Sequence, residues 1–353
     1  MRDRVVGSLD LGCIRVQPMG RGDPGSPLDD DAMPPQKCLR RLSARVVWGA
    51  LCATACSLPG VPLAAQGRVA AALTTAEVTA AAADDEWRDL DPEYTVYMEL
   101  EGGRVVMELA PEFAPRHVEN VRALVRGGYF DGGAVTRSQD NYVVQWARRS
   151  LDEGQALPDG IHGALPAEFE VAARGLPFTP IPDGDVYAPE AGFVRGFPSG
   201  RDPQTGTLWM AHCYGVVGVP RGNDPESGSG QGLYAVIGHA PRHLDRNLSM
   251  VGRVVAGMEH LSTLPRGTES LGRYESRDEW VTIESVRLES DVPVVERTPL
   301  QVLRTDSRSF SDLILAARSR HEQFFVYPTH RIDLCNVPVP TRIVASEPSG
   351  SGR

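Results

Sequence analysis

Lysine is almost absent from this chain of 353 residues. Lys37 is the one lysine among 36 basic residues, so arginine supplies all positive side-chain charge downstream of it apart from histidine. Schiff-base chemistry and the phosphate-binding lysine of P-loop enzymes need a lysine and are excluded from that part of the chain. Aromatic residues are also scarce at 7%, but 41% hydrophobic and 23% charged residues are ordinary for globular proteins. This composition excludes a polytopic membrane protein and a chain that is disordered throughout.

Positive charge is in deficit over most of the chain, whose formal net charge is −10 at pH 7. Residues 1–66 hold eight basic and six acidic side chains, which leaves 28 basic against 40 acidic side chains in the rest. Binding of nucleic acid normally requires a basic face. We therefore expect no nucleic-acid partner.

Long hydrophobic runs are missing as well. The most apolar segment, residues 46–56, is shorter than the roughly 20 residues that a membrane span needs. It follows Lys37, Arg40, Arg41 and Arg45 and precedes small residues, which is the order of a secretory signal. We therefore expect residues 1–66 to be a leader with a signal peptide, no transmembrane span, and a mature protein in the periplasm.

Two alternatives stay open for this leader. Translation could begin at Met33 instead of Met1, because residues 1–32 fit no part of a signal. Residues 54–56 also form a weak lipoprotein box, which would make Cys56 a lipid-anchored residue of the mature protein. Residues 67–92, rich in Ala and Thr at their start, are predicted to be a tether.

Cysteine is rare after the leader, where Cys213 and Cys335 are the remaining pair. In an oxidising compartment such a pair is a candidate disulfide. Two buried free thiols are the alternative.

The rest of the chain shows the periodicity of short strands. Alternating apolar residues on both sides of Gly102 and Gly103 predict a β-hairpin, and Pro115 begins a helix that ends at Gly127. Proline-rich residues 148–206 are predicted to be a long connection, and residues 291–353 an extension in which Ser311 caps a helix and residues 332–339 are extended. Further elements are predicted as strands over 134–137, 142–146, 207–212, 233–238, 249–255 and 281–288, with a short helix over 258–264. Many short strands with two helices are typical of a closed antiparallel barrel.

Several short motifs follow one another in this part of the chain: GRVVMEL at 103–109, AP at 114–115, VENV at 118–121, YFDG at 129–132, LWMAH at 208–212, HLD at 243–245 and VGRV at 251–254. Their order over residues 94–290 resembles the cyclophilin family of peptidyl-prolyl cis-trans isomerases. The resemblance implies a mainly β fold, a closed eight-stranded antiparallel β-barrel capped by two α-helices, in a domain over residues 93–290. It further implies rotamase activity on proline-containing polypeptides, which in the periplasm would assist the folding of exported proteins, without a cofactor.

The resemblance also assigns a site. Arg137 matches the arginine that donates to the prolyl nitrogen, a role that suits a rigid and always protonated guanidinium, and Gln145 matches the glutamine that contacts the substrate backbone. Tyr142, Val143 and Leu244 match residues that line the proline pocket. The positions that depart from the family pattern are Ala235 for the pocket's second aromatic, Leu248 for histidine, His243 for an aromatic and His212 for asparagine.

These departures leave an alternative function open. With Ala235 in place of a ring, the proline pocket would be incomplete, and the protein could be a catalytically weak binding module or chaperone. A metal site of His212, His239 and His243 is a third hypothesis. Pro241 interrupts any helix that would bring His239 and His243 to one face, so we expect no metal.

Overall fold

The computed structural model describes residues 73–148, 157 and 160–344. The predicted leader, with its signal peptide, Met33 and Cys56, lies outside the described residues. The helices are α1 (Thr75–Ala81), α2 (Pro115–Arg126), α3 (Met258–Ser262) and α4 (Arg308–Ser319). The strands are β1 (Trp87–Asp89), β2 (Thr95–Leu100), β3 (Gly103–Leu109), β4 (Ala134–Ser138), β5 (Val143–Ala147), β6 (Val171–Ala172), β7 (Thr179–Pro180), β8 (Glu190–Val194), β9 (Phe197–Asp202), β10 (Thr207–Met210), β11 (Val216–Gly218), β12 (Gly232–Val236), β13 (Met250–Ala256), β14 (Val281–Leu288), β15 (Leu300–Leu303) and β16 (Thr341–Ile343).

Eight antiparallel strands close into a barrel in the order β11-β12-β5-β4-β14-β2-β3-β13. Its interior is filled by large apolar side chains such as Met98 and Trp146, which are at most 1% exposed. Leu124 of α2 and Leu261 of α3 belong to the same core, so both helices cover the barrel. Alternation along each strand sends every second side chain into this core and the others to the outer face. The predicted eight-stranded barrel with its hairpin β2–β3 is thus confirmed.

The eighth barrel strand is β11, and not the strand predicted over residues 207–212. That segment forms β10 and joins a second sheet, where Trp209 lies opposite Gly200. A side chain on Gly200 would collide with the indole of Trp209, so the glycine makes room for it. Leu208, Trp209 and Met210 are all buried, which is the pattern of a strand covered on both faces.

The long connection between β5 and β10 contains regular structure that was not predicted from the sequence. β6 to β9 form a five-stranded sheet with β10, in the order β6-β10-β9-β8-β7, which we call the second sheet. Phe193 and Phe197 of this sheet share an apolar core with Val143 and Val236 on the outer face of the barrel. Part of the barrel's outer face is therefore buried against protein.

The C-terminal extension contributes to the same outer core through Phe310 and Leu313 of α4. α4 begins after Ser307, whose hydroxyl accepts a hydrogen bond from the Phe310 N–H at 3.1 Å, and not after Ser311 as predicted. Residues 332–339 are not uniformly extended, because Leu334–Asn336 form one turn of 3₁₀-helix.

The described part of the predicted tether also folds. α1 starts with a capping box between Thr74 and Glu77 and packs on α4, and β1 pairs with β15 in a three-stranded sheet completed by β16. Val78 supplies the one buried contact of α1, a single apolar position that shows no periodicity in the sequence. None of the helices in the described ranges has the length and apolar character that a bilayer span requires.

Cys213 and Cys335 form a disulfide, with the sulfur atoms 2.04 Å apart and the Cα atoms 5.0 Å apart. Cys213 lies just after β10, and Cys335 lies in the 3₁₀ turn of the C-terminal extension. The bond joins positions 122 residues apart and ties the extension to the body of the fold. The predicted disulfide is confirmed.

We expect the double variant Cys213→Ala/Cys335→Ala to fold but to lose stability. Opening a closed loop of this length raises the chain entropy of the unfolded state. The free energy of unfolding should therefore fall by up to about 4–5 kcal/mol. Guanidinium denaturation of the oxidised wild type and the variant measures the difference. Dithiothreitol should lower the midpoint of the wild type only. Equal midpoints for oxidised wild type and variant would contradict a stabilising role.

Candidate active site

A cavity of about 160 Å³ opens on the outer face of the barrel, across β4, β5 and β12. Apolar and aromatic side chains form most of its wall, and Arg137 stands beside Gln145 on it. Its lining consists of Arg137, Tyr142, Val143, Gln145, Pro220, Arg221, Tyr234, Leu244 and Leu248.

Arg137 reaches this outer face because of a β-bulge. Val135 points into the barrel core, so strict alternation would send Arg137 inward as well. The register between β4 and β5 shifts between Val135 and Arg137, and the extra residue turns Arg137 outward to pair with Gln145. A bulge of this kind re-aims one side chain at a functional face while the interior stays apolar.

Three hydrogen bonds hold the guanidinium of Arg137 in place. Its Nε donates to the Leu271 carbonyl oxygen at 2.6 Å, one terminal nitrogen donates to Oε1 of Gln145 at 3.3 Å, and the other donates to Oε1 of Gln139. The guanidinium carbon lies 5.6 Å from the centre of the Tyr142 ring. Burial lowers the pKa of Arg137, although arginine starts so high that it stays protonated at neutral pH. The result is a fixed cation with a glutamine at its side.

Tyr234, and not Ala235, supplies the second ring of the cavity. Tyr234 pairs with Gln145 across β5 and shares its outward direction, whereas Ala235 pairs with inward-facing Val144. Ala235 is 0% exposed within the barrel core, so the structure does not bring it to the site. The prediction placed β12 one residue out of register, which exchanges inner and outer faces.

Gly218 of β11 makes room for the ring of Tyr234. The two residues pair across β11 and β12, and a Cβ atom on Gly218 would collide with the tyrosine hydroxyl. The aromatic side chain therefore lies flat across the neighbouring strand, and burial raises its pKa well above the ordinary value. Tyr234 keeps its proton and can donate a hydrogen bond.

His212 lies behind the cavity wall and not on it. It is 0% exposed, its Nε2 is 3.0 Å from the Tyr234 hydroxyl, and its Nδ1 is 2.9 Å from Oδ1 of Asp245. Burial would raise the pKa of Asp245, but the hydrogen bond from His212 and the charge of Arg242 outweigh it and lower that pKa. An ionised Asp245 can accept a hydrogen bond from Nδ1–H of His212, and in that tautomer Nε2 can accept a hydrogen bond from the Tyr234 hydroxyl.

The other predicted site residues divide into two groups. Tyr142, Val143, Leu244 and Leu248 line the cavity together with Arg137 and Gln145, whereas His243 is exposed and outside the lining. Three lining residues, Pro220, Arg221 and Tyr234, were missed. Counting outward positions along β12 from its pairing with Gln145 would have found Tyr234.

The histidine hypothesis for a metal has no support in the geometry. The ring nitrogens of His212 are engaged by Asp245 and Tyr234, and neither His239 nor His243 is among its hydrogen-bond partners in the described part of the chain. Among the residues that the structure describes, no group of three or more His, Cys, Asp or Glu side chains is arranged to hold a metal ion.

Residues 95–288, from β2 to the end of β14, match the family model for cyclophilin-type peptidyl-prolyl cis-trans isomerases. This span covers more than half of the chain and contains the complete barrel. The chain belongs to this family.

Relatives of this cyclophilin are named as peptidyl-prolyl cis-trans isomerases or cyclophilins. It is 27% identical over 180 residues to a probable peptidyl-prolyl cis-trans isomerase of Brucella suis, an alignment that covers 51% of this chain and 76% of that protein. A probable peptidyl-prolyl cis-trans isomerase of Brucella abortus matches to the same extent. The crystal structure of cyclophilin AquaCyp293 from Hirschia baltica is similar with a TM-score of 0.60 and 28% identity, over 78% of this chain and 99% of that one. The protein is therefore a divergent cyclophilin with peptidyl-prolyl isomerase as its activity, and its likeness to AquaCyp293 covers more of the chain than the barrel alone.

A substitution at Ala235 distinguishes the register of β12 in this cyclophilin, with Ala235 in the barrel core, from the register expected from the sequence, with Ala235 in the cavity. We expect Ala235→Phe to overfill the barrel core and to lower the free energy of unfolding by about 1–3 kcal/mol. It should not tighten the binding of proline peptides, because the new ring would point away from the cavity. Denaturation curves and peptide titration measure both effects. Tighter peptide binding with unchanged stability would contradict the register described here.

Proposed function

We propose that this cyclophilin accelerates the isomerisation of X-Pro bonds in exported polypeptides, with Arg137 as the donor to the prolyl nitrogen. The observation that carries the proposal is the fixed guanidinium of Arg137 beside Gln145, at the wall of an apolar cavity. Each element of that arrangement corresponds to one requirement of the reaction.

The reaction requires rotation about a bond with partial double-bond character. The barrier is about 18–20 kcal/mol, and uncatalysed X-Pro exchange takes tens to hundreds of seconds. In the twisted state the nitrogen loses its conjugation and regains a lone pair, which can accept a hydrogen bond. A donor placed at that nitrogen stabilises the transition state more than either planar state. No covalent intermediate is needed.

The cavity suits the proline ring. Val143, Leu244, Leu248 and the ring of Tyr234 form apolar walls, and a cavity of about 150 Å³ is known to accommodate a ring of the size of benzene. With the proline held there, Gln145 lies next to Arg137 and can hydrogen-bond the backbone of the same substrate residue. The ring would be fixed while the preceding residue rotates.

Arg137 meets the geometric demand on the donor. Its contacts with Leu271, Gln139 and Gln145 use three of the five N–H groups, and the other two have no partner among the described residues. A guanidinium oriented in advance loses little freedom when the substrate arrives. The incomplete pocket that favoured a weak binding module was inferred from Ala235, and Tyr234 supplies the ring that seemed to be missing.

Export is the second part of the proposal. The sequence of residues 37–56 has the order of a secretory signal, and the disulfide between Cys213 and Cys335 is typical of an oxidising compartment such as the periplasm. Proteins that enter the periplasm unfolded would then be the clients.

We expect Arg137→Ala to reduce kcat/KM roughly a hundredfold to a thousandfold, the loss known for one donor that acts in a transition state. The fold should be unaffected because Arg137 is outside the core. Arg137→Lys should restore little, since an ammonium group lacks the rigid fork of the guanidinium. Exchange NMR on an Ala-Pro peptide gives the rates.

Arg273 provides the matched control for this experiment. It is an exposed arginine whose backbone bridges to Arg137, and its side chain is outside the cavity. Arg273→Ala should keep the activity of the wild type. Full activity in Arg137→Ala, or no activity in the wild type on several X-Pro peptides, would refute the proposed role.

The proposal of export predicts that the mature protein begins near residue 66 or 67 and fractionates with the periplasm. N-terminal sequencing of protein from the native cell envelope and from the cytosol measures this. A start at Cys56 would indicate a lipoprotein instead. An intact leader on a cytosolic protein would contradict export.

A further inference from the structure

A continuous row of polar side chains runs from the proline cavity to the second sheet. The Tyr234 hydroxyl contacts His212 at 3.0 Å, and His212 contacts Asp245 at 2.9 Å. The other oxygen of Asp245 accepts from Nε of Arg242 at 2.6 Å. The two terminal nitrogens of Arg242 donate to the two oxygens of Asp185 at 2.9 Å each. We call these five side chains the buried chain.

The buried chain is almost completely shielded from solvent. The side chains of Asp245 and Arg242 are 5% exposed, that of Asp185 is 2% exposed and that of His212 is 0% exposed. Charges at such depth are costly unless each is paired and hydrogen-bonded. Each member therefore depends on its neighbours for its partners, and a change at one end can be transmitted to the other.

The buried chain is linked to two walls of the cavity, at Tyr234 and through Arg242. Tyr234 supplies one wall directly. Arg242 begins the single 3₁₀ turn Arg242–Leu244, so the anchoring of its guanidinium also sets the place of Leu244, which forms another wall.

The other end of the buried chain belongs to the second sheet. Asp185 lies in the connection between β7 and β8, and the ring of the adjoining Tyr187 lies 5.2 Å from the Arg242 guanidinium. The second sheet thus contacts the cavity walls through a defined set of side chains, although none of its strands lines the cavity.

We propose that Asp185, Arg242, Asp245 and His212 are positioning residues that hold Tyr234 and Leu244 in the arrangement that receives the proline ring, so that the second sheet takes part in substrate binding. This inference rests on the proposed function of the cavity. It assigns the four residues no contact with the reacting bond, which is left to Arg137. Their loss should therefore act on KM more than on kcat.

The same connection offers a matched control. Asp183, two residues before Asp185, also forms a double hydrogen bond with an arginine, at 2.8 and 2.9 Å, and its side chain is 7% exposed. Its partner is Arg318 of α4, and it also accepts from the Ile332 N–H at 2.9 Å. Asp183 thus fastens this connection to the C-terminal extension and not to the cavity.

The first experiment compares Asp185→Asn with Asp183→Asn in the full mature chain. For an X-Pro peptide, Asp185→Asn should raise KM roughly fivefold and change kcat less than about twofold, the pattern expected when ground-state binding is weakened. Asp183→Asn should leave both constants within about twofold of the wild type, whatever its effect on stability. Equal increases in KM for the two variants would overturn the proposal.

The second experiment tests whether the effect travels along the buried chain. Tyr234→Phe keeps the ring and removes the hydroxyl, so it should also raise KM. In the double variant with Asp185→Asn the increase should be smaller than the product of the two single increases, because both changes interrupt one chain. Increases that multiply would overturn the proposal.

If Asp185→Asn does not fold, Tyr234→Phe tests the proposal by itself. An unchanged KM would then show that the Tyr234 hydroxyl does not hold the ring in place, and would overturn the proposal. A wild type without isomerase activity would refute the proposed function. If the wild type is active and both Asp185→Asn and Tyr234→Phe have its KM, this inference is refuted and the proposed function stands.

Discussion

Gln145 occupies the centre of a row of three residues on the outer face of the barrel. It pairs with Arg137 on β4 and with Tyr234 on β12, so strand pairing alone brings the donor, the amide and the ring side by side. The row exists because the bulge before Arg137 and the alternation of β12 direct both neighbours outward. A shift of one residue in either strand would send a guanidinium or a phenol into an apolar core. The stability of the barrel and the composition of the site therefore depend on the same register.

The outer face is also a packing surface. Val143 and Val236 flank the row and share an apolar core with residues of the second sheet and of α4, and Val143 also lines the cavity. The disulfide of Cys335 with Cys213 fastens the extension one residue beyond His212, which lies directly behind Tyr234. The additions to the barrel thus support the walls of the cavity from behind.

The sequence predicted those helices and strands that short-range patterns determine. The hairpin around Gly103 and the helix that begins at Pro115 follow from alternation, helical spacing and end signals. β11 is only three residues long, and β6 and β7 are two residues each, so no periodicity marks them. The pairing of β6 and β11 is decided by contacts between segments distant in sequence, such as Ala172 opposite Thr207 and Val216 opposite Arg253, which a single sequence does not display.

The site residues also divide into those that a sequence pattern indicated and those that only the fold brings together. The resemblance grouped six residues at one site, and the structure brings all six to the cavity: Arg137, Gln145, Tyr142, Val143, Leu244 and Leu248. Ala235 was misplaced because residues 231–236 allow two registers that differ by one position. Buried partners such as Asp185 and Arg242, 57 residues apart, carry no signal in spacing. Asp183 and Asp185 look alike in the sequence, and only the fold separates their roles.

A high-resolution structure of the mature protein with an Ala-Pro peptide tests the central claim most directly. The account predicts that the proline ring lies against Tyr234 and Leu244, with a guanidinium nitrogen of Arg137 about 3 Å from the prolyl nitrogen or the adjoining carbonyl oxygen. A peptide bound elsewhere, or bound in the cavity with its proline away from Arg137, would contradict it.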